Sequence, residues 1–296
     1  MSKIAAIGMF DGVHLGHRHL WQQIAGLCLS AADSTLAVTF RNHPLRLIAP
    51  QRAPLSLGPV EQRAQLLRQA GADDVLILDF TPELRSLTGA EFVNMLVKDH
   101  GITDLVMGFN NSIGSDRISS PDDYRRLAAD TGVRLHPASE FRLGADRAVS
   151  SSAIRSALAQ GDVDCANSLL GRPYSISGTI TRGKQLGRTI GFPTANIEAF
   201  DPRQAMPGPG VYALDVILPD DSIHRAMANI GRRPTVDRQP DAPTTVEVNI
   251  FDFEGDLYGQ PLTLLFLKRL RSEQRFDSLE ALRSRLEEDR RLATAL

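Results

Sequence analysis

The chain has 296 residues, 42% of them hydrophobic and 23% charged, with a formal net charge of −2. That length accommodates two ordinary domains, and the near balance of charge gives no argument for nucleic acid or an anionic membrane as a partner. Cys28 and Cys165 stand far apart with no C-x-x-C pairing, which excludes a disulfide scaffold and a cysteine-built zinc site and suits a reducing compartment.

From residue 3 to about 140, short β-type runs (3–8, 35–40, 75–80, 104–108 and 133–136) alternate with helical spacing at 17–29, 60–70, 89–98 and 122–131. Such alternation predicts a mostly parallel sheet covered by helices on both faces. Ligands in these sheets bind beyond the carboxyl ends of the strands. The first strand ends there in Gly8-Met9-Phe10-Asp11-Gly12-Val13-His14-Leu15-Gly16-His17. A helix N-terminus already attracts phosphate, and two imidazoles beside it can donate to phosphate oxygens and stabilise charge developing on a cleaved phosphoanhydride. His14 and His17 are therefore candidate catalytic residues, whereas His19 reads as an ordinary helix residue. No apolar run approaches the roughly 20 residues of a membrane span, and the N-terminus is too soon interrupted for a signal peptide. A cytoplasmic enzyme is expected, with neither nucleic acid nor membrane as partner and a homo-oligomer possible.

Two helical segments, 151–161 and 163–170, lead to the punctuation Gly171-Arg172-Pro173, and the first opens as a serine-capped start at Ser150-Ser151-Ser152. Beyond it, β-type runs at 174–181, 211–218, 223–230, 245–253 and 262–267 follow one another without a helix until about residue 278. They predict a small antiparallel barrel, closed by an amphipathic helix at 278–292 that Ser278 caps. The expected boundary lies near residue 171, giving domains 1–171 and 172–296. Ahead of the second β run stands Gly183-Lys184-Gln185-Leu186-Gly187-Arg188, then Gly191-Phe192-Pro193-Thr194-Ala195-Asn196 read as a turn. Glycines at such spacing let backbone N–H groups approach an anion, and Lys184 and Arg188 add positive charge. Thr194 and Asn196 carry oxygens suited to Mg²⁺. Glu247, flanked by Val246 and Val248, points away from the barrel wall's apolar face and is a candidate base for an attacking hydroxyl.

Gly-x-Phe-Asp-Gly-x-His-x-Gly-His resembles the nucleotide-binding motif of the FMN adenylyltransferase module in bacterial bifunctional riboflavin kinase/FAD synthetases. The second half resembles the riboflavin kinase pattern, with Gly-Phe-Pro-Thr-Ala-Asn followed in family order by Pro209-Gly210-Val211-Tyr212, Ala228-Asn229-Ile230-Gly231, Val246-Glu247-Val248-Asn249 and Leu270-Arg271-Ser272-Glu273. The resemblance implies a Rossmann-like nucleotidyltransferase domain with a parallel sheet, then a riboflavin kinase-like barrel with a terminal helix. It implies that Gly8, Phe10, Asp11, Gly12, Gly16, Asn110, Ser151, Ser152 and Arg155 serve ATP and its phosphates in the first half. In the second, Gly183, Lys184, Gly187, Arg188, Gly191 and Pro193 would cover the ATP phosphates, Thr194 and Asn196 would hold Mg²⁺, and Glu247 would activate the terminal ribityl hydroxyl. Asn229, Gly231 and Arg271 would meet the flavin. ATP, riboflavin, FMN and FAD are the implied substrates and products. Arg41, Asn42, Asn111 and Ile113 depart from the family pattern, and they keep open an alternative in which only the kinase works and the first domain is structural or regulatory. A flavin carrier without catalysis would need neither the base nor the metal clamp.

Overall fold

The computed structural model describes residues 1–108, 112–144, 147–181, 191–232 and 244–296, and the chain divides into two compact units, Met1–Ser150 and Ser151–Leu296. In the first unit, β1 (Lys3–Ile7), β2 (Ser34–Phe40), β3 (Asp74–Leu78), β4 (Asp104–Met107) and β5 (Arg134–Pro137) form one sheet in the order β3-β2-β1-β4-β5. Every pairing is parallel. The connections run outward in opposite directions from β1 and β4, so the crevice beyond the end of β1 is the topological switch point where such sheets bind ligands.

Side-chain alternation along β1 distributes the helices. Ile4 and Ala6 face one core with Trp21 and Ile24 of α1 (Leu15–Ala25) and, past the short α2 (Leu45–Ile48), Ala64 and Leu67 of α3 (Val60–Gln69). Ala5 and Ile7 face the other core. It contains, beyond the one-turn α4 (Pro82–Ser86), Phe92, Val93 and Leu96 of α5 (Gly89–His100) and Leu127 of α6 (Pro121–Thr131). The latter two helices open on capping boxes, Thr88 with Glu91 and Ser120 with Asp123, and end at left-handed Gly101 and Gly132. A two-stranded hairpin, β6 (Arg142–Leu143) and β7 (Arg147–Ala148), follows.

The second unit begins with α7 (Ser151–Ala159) and α8 (Val163–Leu170), and α8 packs on the barrel strands β8 (Tyr174–Thr181) and β13 (Pro261–Arg271). With β9 (Ala195–Ala199), β10 (Gly210–Ile217), β11 (Ile223–Arg232) and β12 (Thr244–Ile250), these strands close in the order β10-β11-β12-β9-β8-β13. Tyr212, Leu214, Val248, Leu264 and Phe266 fill the interior and are all but inaccessible. The last helix, α9 (Leu279–Thr294), is capped by the Ser278 side chain accepting from Ala281 N–H, and its Ala293 packs with Ala213, Met227 and Phe251. Arg225 Nη1 donates to the Ala293 carbonyl at 3.2 Å, adding a side-chain donor to the last turn of the helix.

Two sequence expectations need correction. The segment read as a turn through Asn196 opens a sixth strand at Ala195, which closes the barrel between β8 and β12. Only Ile197 of that strand is buried, so a five-residue run between Pro193 and Phe200 carried too little apolar signal. The strand expected over 245–253 stops at Ile250, because Asp252 turns the chain with φ of +52°.

Candidate active sites

In the first unit the loop from β1 to α1 takes an unusual path, with left-handed φ at Phe10 (+47°), Gly12 (+79°) and Val13 (+38°). Such values are costly for Phe and especially for β-branched Val, so contacts from outside the loop must hold it. Phe10 is buried and sets its ring edge-on to His17 at 5.2 Å between centroids. Buried Asp11 accepts from the Leu57 amide at 2.9 Å. His14 stands immediately before α1, and its ring stacks on that of His17 at 3.7 Å with 15° between planes. A Cβ on Gly16 would press to 3.2 Å from the His14 ring, so glycine preserves the stack. Burial, with His14 and Arg63 adding, pushes His17 well below the ordinary histidine value. Its Nδ1 is buried without a hydrogen-bond partner among the described residues. A neutral imidazole in that position can donate one hydrogen bond to an arriving oxygen without first losing a proton.

Gly8 packs beneath the Phe10 ring, 3.2 Å from where a Cβ would sit. His19, outside the pair, lies 3.2 Å from Ser139 Oγ. Arg41 and Asn42 face outward: Arg41 Nε donates to Asp79 at 3.0 Å, and Asn42 accepts from Arg46 at 2.8 Å. Ile113 is 5% exposed, pairs with Ile118 through the main chain and belongs to the core. Asn110 and Asn111 lie outside the described residues. Ser151, Ser152 and Arg155 occupy the first turns of α7, in the second unit. Sequence reading missed Arg63, whose Nη1 donates to the Met9 carbonyl (2.9 Å), Thr39 Oγ1 (3.1 Å) and the Phe40 carbonyl (2.8 Å).

In the barrel, register gathers the expected residues onto one line. Glu247 pairs with Asn196 on one side and Asn229 on the other, while Val211 pairs with both Asn229 and Arg271. Directly opposed residues share a face, and the neighbours Val246 and Val248 are buried. Glu247, Asn196, Asn229 and Arg271 therefore lie together on the outer face, with Glu247 exposed. Gly231 follows on β11, where a Cβ would run into the Glu273 carboxylate that accepts from Asn229 at 3.3 Å. Arg271 donates twice through Nε and once through Nη2 to the fully buried carboxylate of Asp289 on α9, at 2.7–3.0 Å. Its guanidinium thus anchors the terminal helix beside the row.

Gly191, left-handed at φ +83°, opens the turn that Phe192 secures by packing with Ala213, Met227 and Phe251. Asn249, 5% exposed and two residues beyond Glu247, donates to the Pro193 carbonyl at 2.6 Å. Pro193 and Thr194 then line a pocket of about 640 Å³ with Ile180, Val248, Phe253 and Tyr258, a volume suited to a nucleotide-sized ligand. Gly183, Lys184, Gly187 and Arg188 lie outside the described residues. The Thr194 hydroxyl and Asn196 amide oxygen are hard, neutral donors. They fit a Mg²⁺ that keeps waters and binds phosphate, and the described residues contain no cluster of three or more His, Cys, Asp or Glu able to hold a metal.

A switch-point histidine pair and a separate barrel carrying a carboxylate beside a nucleotide-sized pocket define a two-domain nucleotide-dependent transferase. The FAD synthetase family model matches residues 1–153 and the riboflavin kinase model residues 170–296. The bifunctional riboflavin kinase/FMN adenylyltransferase of Pseudomonas fluorescens is 38% identical over 99% of this chain and 92% of its own length. That of Bacillus subtilis is 34% identical over 98% and 91%. A crystal structure from Streptococcus pneumoniae, described as a macrolide-efflux protein, superposes with TM-score 0.88 at 30% identity over 100% of this chain and 94% of its own. Neither matched family model speaks of efflux. The chain belongs to the bifunctional riboflavin kinase/FMN adenylyltransferase family.

Proposed function

We propose that Glu247 is the base of the kinase reaction, that Thr194 and Asn196 hold its Mg²⁺, and that His14 and His17 meet the ATP phosphates in the adenylylation. The chain is a bifunctional enzyme of flavin cofactor synthesis with riboflavin, FMN and ATP as substrates. In the first reaction the terminal ribityl hydroxyl attacks the γ-phosphorus of ATP; the O–P bond forms, ADP leaves, and Glu247 takes the hydroxyl proton. Mg²⁺, when bound, neutralises phosphate charge. In the second, an FMN phosphate oxygen attacks the α-phosphorus of a second ATP, making the anhydride of FAD and releasing pyrophosphate. The histidine pair donates to the phosphates as negative charge shifts onto the leaving group.

The observation that carries the kinase reading is the register that sets Glu247 beside Asn196 on β12 and β9, next in sequence to Val248, which lines the Thr194 pocket. For the adenylylating half, Arg41 and Asn42 spend their side chains on surface partners and Ile113 on the core, so these departures leave the histidine pair untouched. The proposed functional division stays near residue 171, next to the start of the riboflavin kinase match at residue 170 and beyond the end of the FAD synthetase match at residue 153. No helix among the described residues is long and apolar enough to cross a membrane; the cytoplasm is the proposed location, which two cysteines outside any disulfide suit. A chromatographic time course with riboflavin and MgATP tests the whole. FMN should rise and then convert to FAD; a reaction that halts at FMN, even with FMN supplied, would leave the kinase alone.

A further inference from the structure

We propose that Arg63 is a positioning residue of the adenylyl-transfer site, fixing the residue 9–13 loop at Met9 and holding a positive charge near His17. The inference rests on reading the first unit as the adenylylating half.

Arg63 occupies the buried stripe of α3 with Val60, Ala64 and Leu67, and is itself 5% exposed. An apolar side chain would fill that position without desolvating a cation, which is costly when no counter-charge is paired with it. Among the described residues no carboxylate forms an ion pair with Arg63, and its Nε is buried without a hydrogen-bond partner. Its direct contacts are dipoles. Met9 and Phe40 supply carbonyl oxygens and Thr39 a hydroxyl, all to Nη1, and Thr39 Oγ1 also donates to the Met9 carbonyl at 3.1 Å. These three residues lie where the chain leaves the carboxyl ends of β1 and β2, so one guanidinium ties both strand ends together.

The tie falls where the loop needs it. Met9 immediately precedes Phe10, the first of the left-handed residues, and two of the three are not glycine. Strain of this kind persists only when neighbours over-determine the backbone. Asp11 is anchored by the Leu57 amide, so the loop is held at two points, at Asp11 through its carboxylate and at Met9 through the Arg63 cation. Electrostatics add a second consequence. Asp11 and Glu61 support the Arg63 charge, while burial and Arg46 oppose it; His17 in turn feels His14 and Arg63. Burial is the main reason His17 is neutral at rest, and the Arg63 cation adds to it; fixed before substrate arrives, that cation also favours the negative charge that builds on phosphate oxygens during transfer, without reorganisation at that moment.

Arg63→Met and Arg63→Lys in the full chain test this. Four readouts serve: FMN adenylylation kinetics, riboflavin kinase activity, the fluorescence melt of Trp21, the protein's single tryptophan, which is buried in the first unit, and the His17 titration by NMR without substrate. Arg63→Met should lower kcat for adenylylation by about tenfold or more with a smaller change in KM for ATP. It should also move the His17 midpoint upward and leave kinase activity unchanged. Arg63→Lys should return the His17 midpoint and part of kcat, because lysine restores the charge but not the fork of donors. A Met variant that melts as wild type yet adenylylates as wild type overturns the proposal, as does a His17 midpoint that does not move. If Arg63→Met fails to fold, the Lys variant decides: a wild-type His17 midpoint with reduced kcat supports the proposal, and a raised midpoint or unreduced kcat overturns it. The titration needs no turnover, so its outcome is separable from whether the first unit makes FAD.

Discussion

The two units place charge near phosphate by different means. In the first, the site is mostly backbone: a strained loop, a helix N-terminus and two stacked imidazoles, with the buried Arg63 cation bound to the loop at Met9. In the barrel, the candidate chemistry sits on side chains aligned by strand register, and the carboxylate and oxygen donors are at least partly open to solvent. The difference follows from the scaffolds. A parallel sheet ends all its strands at one edge, where loops must do the binding. A closed antiparallel barrel turns alternate side chains outward along its whole wall, so neighbouring strands can assemble a row.

The sharpest way to break this comparison is to disable each site alone. Glu247→Gln should lower riboflavin phosphorylation by about 10²- to 10⁴-fold, the range for a general base, while FAD formation from supplied FMN continues. His17→Ala should do the reverse, costing adenylylation on the order of 10²-fold with the kinase intact. Rates for both reactions on each variant are the measurement, and loss of both activities in either variant would refute separable sites.

Next in size is an effect on the barrel alone. Asp289 is fully buried, bound by Arg271 and 3.4 Å from Arg285 Nε. Removing one member of a buried pair strands the other, at roughly 3–5 kcal/mol. Asp289→Ala should therefore loosen α9, lowering the melting temperature followed by far-ultraviolet circular dichroism. Trp21 fluorescence, which reports the first unit, should melt as before. A common shift of both signals would show that the units do not unfold independently.

These residues also mark where sequence reading succeeds and fails. The places of His14, His17 and Glu247 in the fold, as distinct from their proposed roles, were legible because their signals are local: a histidine pair at a strand-to-helix turn, and a glutamate between two valines in a β run. The alternation of elements likewise fixed the parallel sheet. Arg63 was not legible, since arginine on an amphipathic helix normally marks the solvent face, and only the apolar positions 60, 64 and 67 around it hinted otherwise. Arg271 and Asp289 are 18 residues apart on a strand and a helix, a pairing no local pattern encodes. Asn249 looked like one more alternating strand residue until β9, itself too short to read, brought the Pro193 turn against it.

Asn249 yields the next prediction. Its amide adds a side-chain link, beside the β9–β12 pairing, between the strand that carries Glu247 and the turn that presents Thr194. Asn249→Ala leaves the Pro193 carbonyl without that donor, a net loss of about 0.5–1.5 kcal/mol, since Pro193 is exposed and water can replace the amide. The expected result is a raised KM for ATP and a raised Mg²⁺ requirement in the kinase reaction, with adenylylation unchanged. An unaltered Mg²⁺ titration would detach the turn from the metal.

The smallest effect lies at the other end of the first unit's sheet, where β4 begins. Arg134 donates to the buried Asp104 carboxylate at 2.7 and 2.8 Å, with Thr103 and His136 adding bonds, and together they hold it well below the usual carboxylate range against the opposing effect of burial. A depressed folded-state value contributes stability that is fully present above the unfolded carboxylate's pKa, about 3.9, and is lost as pH falls from there toward the folded value. Trp21 melts of wild type and Asp104→Asn should therefore differ most at pH 6–7 and converge on acidification below about pH 4. Adenylylation near neutrality should persist in Asp104→Asn, because the cluster sits at the amino edge of the strands and the histidine pair at the carboxyl edge. A gap in melting temperature that stays constant with pH would mean that Asp104 acts by packing and not by charge. Lost adenylylation in a folded variant would show the two edges of the sheet to be coupled.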